Sequence, residues 1–170
     1  MKSRISLVNT LLLITLSLGT ALVLATAVLL VPGSTARAHE PHHTMIQPEE
    51  LKWAQPPTLP AGAQAAVLFG SPAKEGPFVL RLKFPAGFIV PPHKHSQAEM
   101  VTVISGEFGI ASADKFDPAA IKKLPPGSFV HLPPGMPHFA RVEVETVLQV
   151  HGMGPFDVVY IDPKDDPRKK

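Results

Sequence analysis

The chain has 170 residues, 20 prolines, no cysteine and a formal charge of +2. Residues 1–38 hold three of the cations and no acid, so the other 132 residues carry −1 and offer no bulk positive charge for nucleic acid or an anionic membrane. Nineteen prolines in those 132 residues exclude a helical bundle, and the lack of cysteine excludes disulfides and thiolate chemistry.

In chain order, Lys2 and Arg4 precede an apolar stretch over 11–31, Pro32-Gly33-Ser34 breaks it, and Ala36-Arg37-Ala38 has the small-x-small form of an export cleavage site. Residues 1–38 therefore read as a signal peptide, and the protein as periplasmic or secreted. The apolar stretch is longer than a usual signal core of about 7–15 residues and near the roughly 20 that span a bilayer. An uncleaved membrane anchor, with the domain outside the cytosol, is the alternative. No twin arginine points to export of a folded protein. Residues 39–60 are polar and proline-rich and read as an extended arm. Its His39-Glu40-Pro41-His42-His43 tract reads as a linker, with a copper-chelating amino terminus as the alternative if cleavage exposes His39.

From residue 61 to 162 the pattern changes to short β-type runs between Gly and Pro. Phe78, Leu80, Leu82 and Phe84 alternate with Val79, Arg81 and Lys83, the period of a half-buried strand. Further strands are expected over 64–69, 99–105, 107–111, 128–132, 139–145, 147–151 and 156–161. About eight strands in about 100 residues is the spacing of an all-β sandwich or barrel. Phe78, Leu80, Leu82, Phe84, Phe108 and Phe129 are the expected core. Residues 163–170 read as a solvated mixed-charge tail.

His93, His95, Glu99 and His138 carry the chemistry. His93 and His95 lie two apart, so on a strand they leave from one face, and Pro91-Pro92 before them disfavours helix. Glu99 opens the next strand and can return a carboxylate towards them. His138 shares strand parity with Ala140, Val142 and Val144, while Arg141, Glu143 and Glu145 fall on the other face. Three imidazoles and a carboxylate suit one divalent transition metal, with Mn, Fe, Ni, Cu and Zn all admissible. In an octahedral ion two positions would stay open, which permits Lewis-acid or redox catalysis.

The segment Gly87-x5-His93-x-His95-x3-Glu99-x6-Gly106 resembles the first motif of the cupin family, and Gly127-x5-Pro133-x-Gly135-x2-His138 resembles the second, 20 residues later. The resemblance implies a double-stranded β-helix, or jelly-roll barrel, over 61–162, with His93, His95, Glu99 and His138 as metal ligands. It also implies turn roles for Gly87, Gly106 and Gly127, and homodimerisation. One position departs: the second motif commonly ends in Asn, where residue 142 is Val. The run 147–162 resembles the terminal strands of small exported bacterial cupins.

Two further histidines of 61–162 hold no motif position. Gln149 and His151 share a face and could line the pocket, which makes His151 the candidate acid or base; the alternative is a plain strand-end histidine. His131 shares a face with Phe129 and reads as a partly buried spacer rather than a ligand. No nucleophile elbow, cysteine or phosphate loop is present, and Glu49-Glu50 and Asp165-Asp166 read as solvated. The expected function is an exported metal-binding cupin acting on a small organic molecule; the resemblance implies an oxidoreductase of dioxygenase type first, and a lyase or isomerase next. The alternative is a noncatalytic metal or small-ligand binding or sensor module.

Overall fold

A computed structural model describes residues 43–170. The expected signal peptide or anchor helix at 1–38, and His39 and His42 of the histidine tract, lie outside those residues. Ten strands are present: β1 (Gln64–Phe69), β2 (Gly76–Phe84), β3 (Ile89–Lys94), β4 (Glu99–Ser105), β5 (Phe108–Ala111), β6 (Lys122–Leu124), β7 (Phe129–Leu132), β8 (His138–Arg141), β9 (Thr146–Gly154) and β10 (Val159–Tyr160). They form two five-stranded sheets, ordered β1-β2-β9-β4-β7 and β10-β3-β8-β5-β6, with every pairing antiparallel.

The alternation in β2 sets one face of the first sheet, and its neighbours match it in register. Leu80 lies opposite Val150, and Val150 opposite Val101, so three strands present apolar side chains to the same interior. Phe78, Phe84, Val103 and Leu148 join them, and Val90, Phe108, Ile110 and Ala140 come from the second sheet. Each large side chain so buried contributes roughly 1.5–3 kcal/mol. Phe139 points to the other side of β8, where Phe116 from the 112–121 loop covers it at 4.9 Å between ring centroids.

Several sequence expectations need correction. Strand β8 stops at Arg141, so Val144 sits in the following bend and is exposed rather than inward. Phe129 is 60% exposed, because Val130 and Leu132 turn towards the interior over much of β7 and Phe129 and His131 turn out. The short strand β6 has no apolar alternation to announce it: Lys122 and Lys123 mask it, although lysines suit an edge strand such as this one.

Among the described residues the only helices are four single 3-10 turns, each begun by a proline. Asp117, Asp162 and Asp166 cap three of them by accepting a backbone N–H. The last two turns fold the expected solvated tail back onto the domain. Arg168 grips Asp166 and donates to the Val158 carbonyl at 2.8 Å.

Candidate metal centre

The site begins with a bulge. Val90 lies opposite Ala140 and His93 opposite His138, so β3 spends three residues where β8 spends two. Pro91-Pro92 supplies the extra residue, as expected of residues without an N–H to give the ladder. The bulge lets Val90 and His93, of opposite parity, both face the interior. His95 follows just past the strand. Across the sandwich Glu99 opens β4 on the inward face, paired with Gly152 and Leu132.

The structure brings these four side chains together. One ring nitrogen from each of His93, His95 and His138 lies within 4.8 Å of the others. Glu99 Oε2 stands 3.4 Å from Nε2 of both His95 and His138. All four residues are buried.

Hydrogen bonds at the far side of each ring decide which nitrogen is free. Nδ1 of His93 is 2.7 Å from the Pro91 carbonyl, Nδ1 of His138 is 3.0 Å from that of Met136, and Nδ1 of His95 is 2.5 Å from that of Asp157. A carbonyl only accepts, so each Nδ1 carries the proton and each neutral ring is left with its lone pair on Nε2. Nε2 of His95 is buried and makes no hydrogen bond, although Glu99 Oε2 is only 3.4 Å away. A carboxylate facing two imidazole lone pairs is repulsive unless a proton or a cation lies between them. The donor set therefore fits a divalent transition metal, with Nδ1–H bonds of the kind that orient histidine ligands.

Electrostatics agree. Burial, aided by His138 and His95, holds His93 down to about 3, so it is neutral near neutral pH. Burial also opposes charge on His95, but the facing Glu99 carboxylate outweighs it and raises that ring's pKa. For Glu99, burial favours the neutral acid; the facing His138 and His95 imidazoles, which can carry positive charge, overcome this and hold its carboxyl well below the usual range.

Above the cluster is a cavity of about 490 Å³, walled by Leu80, Val101, Phe108, Leu148 and Val150 among others. Residues 54–59 of the arm and Pro72-Ala73 form part of its rim. Phe156 stacks on the His95 ring at 4.3 Å. Tyr160 donates to the Thr58 carbonyl at 2.8 Å and fastens the arm there. Burial, with Asp166 nearby, pushes its phenol up to about 12, so it acts as a neutral donor.

His151 is not in this cavity. It lies opposite Val79 and Met100 on the outer face of the first sheet, because Leu148 and Val150 take the inward positions of β9. Gln149 and His131 are on that outer face too, which corrects the pocket-lining reading of Gln149 and His151 and the part-buried reading of His131. His43 is exposed in the arm. Val142, in place of the motif Asn, is buried in the core and is not among the cavity walls. Sequence reasoning missed Asp157, Phe156, Tyr160 and residues 54–59. Their roles rest on contacts across as many as 102 residues of chain, which no local pattern announces.

An antiparallel double sheet that gathers histidines from adjoining strands of one sheet beneath a glutamate of the other is cupin architecture. Residues 41–157 match the ChrR cupin-like domain family, and the chain belongs to that family. Similar solved structures include the polyketide cyclase RemF from Streptomyces resistomycificus, at 16% identity and a TM-score of 0.62 over 75% of this chain and 92% of that one. An RmlC-like cupin from Shewanella frigidimarina is 20% identical, with a TM-score of 0.53 over 66% and 91%. KdgF from Halomonas is 18% identical, with a TM-score of 0.52 over 66% and 94%. At these identities the likeness is one of fold. No curated protein is a significant match to the chain.

Proposed function

We propose that this chain is an exported, metal-dependent cupin enzyme, an oxidoreductase of dioxygenase type, acting on a small and largely apolar organic molecule. The observation that carries this reading is the pairing of a converged three-histidine, one-carboxylate donor set with an apolar cavity directly above it. His93, His95, His138 and Glu99 would hold one divalent Mn, Fe, Ni, Cu or Zn ion. Such an ion supplies Lewis-acid or redox chemistry.

The protein's own part is to bind, orient and exclude water. Val101, Leu148 and Val150 favour an uncharged substrate face. No lysine or arginine lines the cavity to hold a carboxylate or phosphate group. Gln55, the one rim side chain with an amide, is engaged with the Pro56, Leu59 and Pro60 carbonyls and the Gly62 N–H. Apart from the four proposed ligands the cavity offers no titratable side chain, so proton transfer by a separate residue is not part of the proposal. That same lack favours the second reading, a noncatalytic module that holds a metal and a small ligand. Cleavage or anchoring at residues 1–38 and homodimerisation belong to the proposal as well.

Elemental mass spectrometry of the purified protein beside His95→Ala tests the donor set. Near one equivalent of a transition metal, lost in the variant, is expected; a folded wild type that takes up none after reconstitution overturns the proposal. With metal bound, oxygen uptake on apolar hydroxylated aromatics supports the enzyme. Tight binding of such compounds without turnover supports the module.

A further inference from the structure

The outer face of the first sheet carries a second cluster of metal-ligating side chains, on the other side of the sheet from Glu99. Glu99 and Val101 point inward, so Met100 between them points out. Register sets Met100 opposite His131 of β7 on one side and opposite His151 of β9 on the other. The three form one row across three adjacent strands. Met153 follows His151 by two residues and shares its face, diagonal to Met100 and half exposed.

Neighbouring strands lie about 4.8 Å apart, which puts the two imidazoles on either side of the thioether with their Cα atoms about 10 Å apart. Rings leaning inward from both sides can meet a single ion above the Met100 sulfur. The Gln149 amide, in turn 3.5 Å from Arg81 Nε, has its Nε2 3.4 Å from His151 Nε2. An amide nitrogen only donates, so His151 Nε2 carries its lone pair and accepts this long contact, which an ion would displace.

The rest of the face says which ion. The five strands of this sheet contain one carboxylate, Glu99, and it faces inward. The strands therefore place no hard anionic oxygen on the outer face to draw Ca²⁺, Mg²⁺ or Mn²⁺. Two imidazoles and two thioethers are neutral, and thioether sulfur selects Cu(I). A monovalent ion also suits a face whose charged residues on β2 are Arg81 and Lys83.

We propose that His131, Met100, His151 and Met153 form a surface site for Cu(I), independent of the interior donor set. Ag(I), a redox-inert stand-in, is titrated into the purified protein while the methionine methyl signals are followed by ¹H–¹³C NMR, assigned with Met100→Leu and Met153→Leu. The expected result is that the Met100 and Met153 methyls shift, saturating at one equivalent, while Met45 and Met136 do not move. In anaerobic competition with a chromogenic Cu(I) chelator, Met100→Leu and His131→Gln should each lose tenfold or more in affinity, with unchanged circular dichroism and melting temperature before metal is added. Unmoved Met100 and Met153 methyls, a shift confined to Met136 beside the interior cluster, or wild-type Cu(I) affinity in Met100→Leu would each overturn the site.

Discussion

Replacing Asp157 with alanine should loosen the interior site without touching any of its four donors. The Asp157 carboxylate accepts from Ser96 N at 2.7 Å and from Ser96 Oγ at 2.8 Å, while its own carbonyl takes the His95 Nδ1 proton. One residue thus ties the chain just after β3 to the segment after β9 and sets the tautomer of His95. Burial slightly disfavours its charge, but the two Ser96 bonds prevail and lower its pKa. Asp157→Ala keeps the carbonyl and removes both carboxylate bonds. Ser96 is exposed, so solvent screening puts each bond below the usual range for charged partners, at about 0.5–1 kcal/mol, or about 1–2 kcal/mol together. For a domain of this size that is a fall of roughly 3–8 °C in melting temperature.

Metal affinity should fall further than stability alone accounts for. Outright loss of an outer partner of a histidine ligand typically lowers it 10- to 100-fold, about 1.4–2.8 kcal/mol; here the carbonyl stays but the segment carrying it is freed, so the fall should lie at the low end of that range. Competition with a chelator of known affinity measures this, beside thermal melts of the metal-free protein. Asp157→Asn keeps an acceptor for the Ser96 N–H and should recover most of the affinity. If Asp157→Ala melts lower yet binds metal as tightly as wild type, Asp157 is a structural tether only and the link to His95 is refuted.

In the metal-free protein, His93 is held to about 3 against 6.5 when unfolded, so the unfolded chain binds more protons between those values and stability should fall as pH drops below about 6.5. Glu99 adds to that loss below about 4.5, while His95, raised in the fold, gives stability that disappears as pH rises through its folded value. The stability maximum should therefore sit near pH 6.5, each net proton contributing at most about 1.4 kcal/mol per pH unit; denaturant titrations from pH 4 to 9 check it, and a flat profile in His95→Gln on the alkaline side would assign that limb. Gly106→Ala should destabilise by about 2 kcal/mol or more, because Gly106 has φ +79° and an added Cβ would stand 2.4 Å from the Glu145 carbonyl oxygen; urea unfolding measures it. Tyr160→Phe should cost about 1 kcal/mol and speed amide exchange over 54–60, since it removes the bond to Thr58; unchanged exchange there would mean that the arm is held by its other contacts.

The sequence by itself determined a good deal. Nineteen prolines and the period-two run from Phe78 to Phe84 implied an all-β domain, and the spacing of His93, His95, Glu99 and His138 carried the cupin resemblance. These are local properties: strand parity and turn glycines operate over a few residues, so they can be read without a structure.

The tertiary structure decided the rest. Parity states which residues share a face but not which face meets the core, and Phe129, His131 and His151 turned outward because their neighbours Leu132, Leu148 and Val150 filled the interior. The Pro91-Pro92 bulge became visible only from the pairing of β3 with β8. The His95 tautomer depends on a carbonyl 62 residues away, and the row His131, Met100, His151 exists only because β7, β4 and β9 lie side by side. Register and long-range hydrogen bonds are set by how the sheets close on one another, and that information is distributed over the whole domain.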